Sequence, residues 1–93
     1  MRQTDNMDYI YNVNKEKVSI DDLQKDTRTQ VVESFMEYRK FKKMTQDKLS
    51  KCAGMSRTNI TRFESGNYNP SLEMMVRIAA AMGAKLEINL VEK

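Results

Sequence analysis

The sequence predicts an all-α domain of four to five short helices that ends in a single β-strand. Between residues 31 and 82, apolar residues recur at three- and four-residue spacing, the period of helices that bury one face. Ser, Thr and Gly stand where such helices would begin and end. After residue 83 the spacing changes to alternation, which is typical of a half-buried strand.

Length and charge indicate one folded domain preceded by an arm. Ninety-three residues with 40% hydrophobic content suit a single hydrophobic core. Residues 1–26 carry four Lys or Arg against six Asp or Glu, a net charge of −2, whereas residues 27–93 carry twelve against seven, a net charge of +5. We therefore predict an acidic arm over 1–26, partly flexible or a short helix, a helical domain over 27–84 and a terminal strand over 85–91.

The composition disfavours several classes of function. With one cysteine and no histidine, the chain can form neither an internal disulfide nor a Cys/His zinc site, and it lacks the usual general acid or base near neutral pH. Its three glycines stand in no phosphate-binding pattern. Asp21 and Asp22 are neighbours that point to different faces of a helix, so they fit a helix start better than an acid/base dyad. We expect a protein that is not an enzyme and binds neither a cofactor nor a metal.

The chain carries no sign of a membrane or secretory segment. No stretch approaches the roughly 18 apolar residues of a membrane span. The first residues lack the apolar run of a signal peptide. The sequence therefore predicts a cytoplasmic protein without a membrane partner.

The N-terminal segment is ambiguous. Its apolar patch, from Met7 to Val18, has no sustained period and is compatible with a disordered arm, a short strand or a segment that folds on a partner. At Ser19 a capping hydroxyl and the carboxylates that follow it indicate a short helical start. The stronger helical pattern begins near residue 26 and ends in the basic residues up to Lys43.

The centre of the sequence predicts two short helices joined by a glycine turn. Thr45 caps a helix of about two turns that ends at Gly54, and Ser56 caps a second helix that ends at Gly66. This arrangement is typical of a helix-turn-helix motif. Pro70 cannot continue the preceding helix, and the apolar spacing after it predicts a fourth helix.

The terminal strand needs a partner, because a lone strand is unstable. Its apolar side chains are Leu86, Ile88 and Leu90, which alternate with polar residues. The patch from Tyr9 to Val13 could pair with it in the same chain. We favour the second possibility, an antiparallel pairing with the same strand of another copy across a two-fold axis, and so predict a homodimer.

The stretch from Met44 to Leu72 resembles the Xre or Cro/repressor family of helix-turn-helix proteins. It carries Thr-Gln at the start of the second helix, Ala-Gly at the turn, Phe-Glu-Ser-Gly late in the third helix and Asn-Pro-Ser after it. With its flanking helices the resemblance covers Phe35 to Leu90. It implies the fold of lambda repressor and a transcriptional repressor that binds a double-stranded operator.

The resemblance also implies roles for individual residues. The third helix would enter the major groove, where Arg suits guanine, Asn adenine and Thr a thymine methyl, although polar outward residues are also found on any surface helix. Gln46 and the loop after that helix would contact phosphates. The implied DNA-binding residues are Gln46, Ser56, Arg57, Thr58, Asn59, Arg62, Asn67, Tyr68 and Asn69. Arg39 and Glu64 match a salt bridge that ties the first and third helices together.

A domain that ends in such a strand, with no ligand domain after it, looks most like the HigA-type antitoxins of type II toxin–antitoxin systems. This implies a ribonuclease toxin as a second partner and regulation of the protein's own operon. The acidic residues 1–26 are the candidate contact, since such a ribonuclease would be basic. Two alternatives remain: a stand-alone phage-type or chromosomal repressor, and a protein-interaction module that has lost DNA binding.

Overall fold

In the computed structural model, four helices follow a short β-hairpin in the part of the chain that is described, residues 8–92. The elements are β1 (Tyr9–Tyr11), β2 (Lys17–Ser19), α1 (Ile20–Phe41), α2 (Gln46–Ala53), α3 (Arg57–Glu64) and α4 (Leu72–Ala81). The chain divides into two compact units, one up to residue 31 and the other from residue 32. The first seven residues of the predicted arm, which include Met7 of the apolar patch, lie outside the described residues.

The hairpin corrects the all-α prediction. The antiparallel register pairs Tyr9 with Ser19, Ile10 with Val18 and Tyr11 with Lys17. Asn12 closes the turn, because its Oδ1 accepts the backbone N–H groups of Asn14 at 2.9 Å and of Glu16 at 3.0 Å. Lys15 takes the left-handed conformation, with φ 64°. Strands of three residues are too short to show alternation in the sequence, so the sequence indicates a short strand only as one of three possibilities and does not predict the hairpin.

α1 begins earlier than the apolar pattern predicts. Ser19 Oγ accepts the backbone N–H of Asp22 at 3.3 Å, which confirms the helical start at Ser19. The helix then continues for 22 residues, so the prediction of a separate start near residue 26 is wrong. The reason is that elongating a nucleated helix requires no buried face, whereas the sequence pattern detects only such a face. Within residues 8–92 no helix, α1 included, is long and apolar enough to cross a membrane.

The second unit has its own hydrophobic core, as the helical spacing predicts. The buried apolar residues are Val32, Phe35, Leu49, Ala53, Ile60, Phe63, Ile78, Ala79 and Met82. The rings of Phe35 and Phe63 meet edge to face, with their centroids 5.1 Å apart. Full burial of each large apolar side chain contributes about 1.5–3 kcal/mol. This core holds α2, α3 and α4 against the C-terminal half of α1.

Local signals fix where the short helices begin. Thr45, Ser56 and Ser71 cap α2, α3 and α4, and each hydroxyl accepts the backbone N–H three residues later, at 3.0 or 3.1 Å. Gly54 ends α2 in the left-handed conformation, with φ 69°. The predicted caps at Thr45 and Ser56 and the predicted stop at Gly54 are therefore confirmed.

The segment after α4 is neither helix nor strand among the described residues, 84–92. Leu86 is half-buried, whereas Ile88 is 66% exposed and Leu90 is fully exposed. The possibility that residues 9–13 pair with this segment is wrong, because β1 pairs with β2 instead. A strand forms its hydrogen bonds with a neighbour, and this segment has none within the described chain. Its pairing across a dimer stays a prediction.

Candidate nucleic-acid interface

A nearly buried ion pair joins α1 to α3. Arg39 Nε donates to Glu64 Oε2 at 2.8 Å, and Arg39 Nη2 donates to Glu64 Oε1 at 3.1 Å. The two side chains are 11% and 5% exposed. Arg39 Nη1 also donates to the carbonyl of Met44 at 2.8 Å. The salt bridge that the resemblance implies is therefore present, and it fixes the C-terminal end of α3.

Gln46, the first residue of α2, lies beside this pair. Its Nε2 donates to Glu64 Oε1 at 2.8 Å. The hydroxyl of Thr61 on α3 lies 3.5 Å from Gln46 Oε1. The side chain is half-buried. The phosphate contact of Gln46 stays a prediction, but one N–H of its amide is already bound by a carboxylate from another helix.

The outward face of α3 forms a shallow depression of about 360 Å³, lined by Arg57, Thr58, Thr61 and Arg62. All four side chains are exposed. Three of them are among the predicted DNA-binding residues, and Thr61 is an addition. The sequence interpretation that Thr61 turns away from the centre of this face is wrong, because residues at i, i+1, i+4 and i+5 share one face of a helix.

The charge of this face is entirely positive. Glu64 is the single carboxylate of α3, and it is buried against Arg39. Within residues 8–92, neither Arg57 nor Arg62 forms an ion pair. The Arg62 guanidinium lies 5.8 Å from the centre of the Tyr68 ring, a cation–π contact that steers it without neutralising it. Unpaired guanidinium groups beside hydroxyls suit a polyanion with hydrogen-bonding groups.

The other predicted contacts lie around the depression and do not line it. Ser56 uses its hydroxyl to cap α3, and Asn59 is half-buried. In the loop after α3, Asn67 and Asn69 are exposed and Tyr68 is half-buried. The structure therefore places three base-reading candidates, Arg57, Thr58 and Arg62, on one face of α3, leaves Asn59 beside that face, and places the loop candidates beyond the C-terminal end of the helix.

Sequence comparisons identify relatives of the helical unit. The family described as Helix-turn-helix matches residues 35–89. An uncharacterized HTH-type transcriptional regulator from Methanocaldococcus jannaschii is 42% identical over 50 residues, which cover 54% of this chain and 76% of the relative. Another from Archaeoglobus fulgidus is 43% identical over 51 residues, which cover 55% of this chain and 72% of the relative.

A solved structure extends the similarity beyond the motif. A Toxin-Antitoxin module from Streptococcus pneumoniae aligns with a TM-score of 0.63 and 29% sequence identity, over 81% of this chain and 84% of that one. The family match itself spans more than half of this chain and contains α2, α3, the turn between them and α4. The chain therefore belongs to the helix-turn-helix family of the Xre type.

Proposed function

We propose that this chain is a sequence-specific DNA-binding repressor that reads a double-stranded operator in the cytoplasm as a homodimer, with no enzymatic step. The observation that carries the proposal is the outward face of α3, where two unpaired arginines stand beside two threonines and no carboxylate is exposed. The relatives named HTH-type transcriptional regulators support it.

α3 would lie in the major groove with this face against the base edges. Arg57 and Arg62 can each donate two hydrogen bonds to a guanine, and a good pair of this kind contributes about 1–3 kcal/mol of discrimination between bases. Thr58 and Thr61 offer a hydroxyl and a methyl group. The exposed amides of Asn67 and Asn69 would reach phosphates, which sets the position of the helix without reading the sequence.

The homodimer would form through the segment after α4. An antiparallel pairing centred on Ile88 places Leu86 of each copy opposite Leu90 of the other, and Glu87 opposite Asn89. A pairing centred on Glu87 would instead place two carboxylates opposite each other, which destabilises a strand pair. The centre at Ile88 therefore fits the sequence best.

An apolar groove supports this pairing. Leu86 lines it together with Phe35, Tyr38 and Met82. In the pairing centred on Ile88, Leu90 of a second copy lies next to Leu86 and extends the apolar wall of the groove. Such a dimer would present two copies of α3 to half-sites about 34 Å apart, one turn of DNA.

The test is a fluorescence-anisotropy titration of the protein with DNA from upstream of its own gene, at about 50 mM and 200 mM salt. The variant Arg57→Ala with Arg62→Ala removes both arginines of the depression. The matched control, Lys17→Ala with Lys25→Ala, removes the same charge from exposed positions of the first unit. We expect the arginine variant to lose about 30-fold or more in affinity, from two contacts of about 1–3 kcal/mol each, and the control to lose little.

Either of two results would contradict the proposal. If the unmodified protein binds its upstream DNA no better than random DNA, the protein-interaction alternative is favoured. If both double variants lose the same affinity, only net charge matters and α3 reads nothing. The salt dependence also gives the number of phosphate contacts, because the slope of log affinity against log salt concentration becomes more negative by about 0.9 for each contact.

We further propose that the repressor is an antitoxin that neutralises a basic ribonuclease toxin and represses its own operon. The similarity to a toxin–antitoxin module supports this role. So does the surface of residues 8–31, which exposes Tyr11 and Val13 together with the carboxylates of Asp22 and Asp26. Exposed apolar groups and exposed carboxylates in one unit fit a basic partner.

A binding assay with the ribonuclease-like product of the neighbouring gene tests this role. The variant Tyr11→Ser with Val13→Ser should weaken toxin binding and leave operator binding unchanged. Phe41→Ser is the matched control, since Phe41 is 75% exposed and lies in the other unit. Unchanged toxin binding in the hairpin variant, or an equal loss of DNA binding, would contradict this division. The lack of such a neighbouring gene would favour a stand-alone repressor.

A further inference from the structure

We propose that Glu64 is a positioning residue for DNA recognition, because it fixes the amide of Gln46 at the start of α2 before DNA binds. This inference rests on the proposed DNA-binding function. Glu64 itself is 5% exposed and would not touch DNA. It would act through Gln46, the residue that stands at the N-terminal end of α2.

The carboxylate of Glu64 serves two partners at once. Arg39 donates to both of its oxygens, at 2.8 and 3.1 Å. Gln46 Nε2 donates to Oε1 at 2.8 Å, as short as the shorter of the two bonds from Arg39. An ionised carboxylate can only accept hydrogen bonds, so it binds the NH₂ end of the amide. The carboxylate of Glu64 therefore determines which end of the Gln46 amide faces it, so the nitrogen and oxygen of this amide are not interchangeable.

The bound amide connects α2 to the reading face of α3. With its NH₂ group toward Glu64, Gln46 turns Oε1 toward Thr61, whose hydroxyl oxygen is 3.5 Å away. Thr61 lines the depression on α3. One N–H of the amide remains for DNA. The side chain loses its rotational freedom during folding, so this loss does not oppose the binding of DNA.

The positioning role is separable from the structural role of the ion pair. Arg39 is held by both carboxylate oxygens and by the carbonyl of Met44. The bond from Gln46 is an addition that the ion pair does not require. A change at Glu64 can thus act on DNA binding by two routes, through Arg39 and the fold or through Gln46, and a double-mutant cycle separates them.

The cycle uses Glu64→Gln, Gln46→Ala and the double variant, with operator affinity measured at a temperature where thermal unfolding shows all four proteins to be folded. We expect Glu64→Gln to weaken binding about 10-fold when Gln46 is present and less than about 2-fold when Gln46 is already alanine, a coupling within the range seen for residues in contact. An equal loss in both backgrounds would overturn the proposal, because Glu64 would then act through the fold alone.

A second measurement needs no variant and no DNA. In the free protein, the side-chain ¹⁵N order parameter of Gln46 should approach the rigid value of about 0.85, whereas that of Gln30, exposed on α1, should fall below about 0.6. Equal mobility of the two amides would overturn the proposal. This result does not depend on the operator. Failure of the unmodified protein to bind DNA would contradict the proposed function instead, so the two failures are distinguishable.

Discussion

The two units of the chain differ in whether they enclose a hydrophobic core. In residues 32–92, Ile60 and Ile78 are fully buried and Phe63 is 1% exposed. In residues 8–31, Tyr11 is 70% exposed and Val13 is 93% exposed. The helical unit therefore encloses a core besides its exposed apolar side chains, whereas no residue of the stretch 8–31 is buried. Exposed apolar groups near one another are typical of a surface that binds a partner.

The charges follow the same division. The helical unit buries the one carboxylate of α3 and leaves two arginines exposed. In the first turns of α1, by contrast, carboxylates are exposed, namely those of Asp21, Asp22 and Asp26. The comparison is in keeping with the two surfaces proposed above, a cationic one for a nucleic acid and one with exposed apolar and acidic side chains for a protein.

The largest effect on stability is expected in the core of the helical unit. Phe63→Ala should lower the free energy of unfolding by about 3–5 kcal/mol, since it removes a buried aromatic ring and leaves a cavity. Urea unfolding followed by circular dichroism measures this change. Phe41→Ala, at a 75% exposed position, is the control and should change the free energy by less than about 0.5 kcal/mol. Similar losses in the two variants would mean that Phe63 is no more important to the core than the exposed Phe41.

A smaller effect is expected at a helix end. Thr45→Ala should lower the free energy of unfolding by about 1 kcal/mol, because the backbone N–H of Lys48 loses its acceptor at 3.0 Å. Thr45→Ser retains a hydroxyl and should recover most of this loss. The same urea titration compares the three proteins. If the serine variant is as unstable as the alanine variant, the cap contributes nothing and tertiary packing alone holds α2.

The smallest effect on stability is expected in the hairpin. Val13→Ser should change the free energy of unfolding by less than about 0.5 kcal/mol, because the valine side chain already contacts water. A loss above about 1 kcal/mol in the urea titration would show that Val13 is buried in solution and would remove the contrast between the units. The toxin-binding assay then decides whether the exposed side chain has a partner.

The sequence predicts the helical unit well because its signals are local. Capping hydroxyls, a left-handed glycine and the spacing of apolar residues each act within one or two turns, and the helices begin and end where they indicate. The buried ion pair of Arg39 and Glu64 follows from the family resemblance, since 25 residues separate the two side chains.

The hairpin and the start of α1 depend on information that the apolar pattern lacks. The turn is held by the side chain of Asn12 and by Lys15 in a conformation that glycine more often takes. The first third of α1 has no fully buried residue, so no apolar period reveals it. The segment after α4 alternates as a strand does, but strand pairing needs a second strand that the described chain does not supply.

The sequence predicts most residues of the candidate site but not the hydrogen bonds that join them across helices. The family resemblance predicts that Arg57, Thr58, Asn59 and Arg62 share an outward face. The depression contains three of them and Thr61, whereas Asn59 is half-buried and does not line it. The sequence does not predict that Gln46 binds Glu64, because residues 18 positions apart meet only once α2 and α3 have packed. Local patterns identify faces of helices, whereas contacts between helices require the fold.

Seven of the eight residues of α3 fall into an inward set and an outward set. Ile60, Phe63 and Glu64 turn inward and hold the helix, while the four residues of the depression turn outward, where the proposed complex has the DNA. Outward residues with no role in packing can be exchanged at little cost in stability. If the proposed reading of DNA by this face holds, gene duplicates of this chain can acquire new operators by substitutions at four surface positions, with the core unchanged and each intermediate still folded.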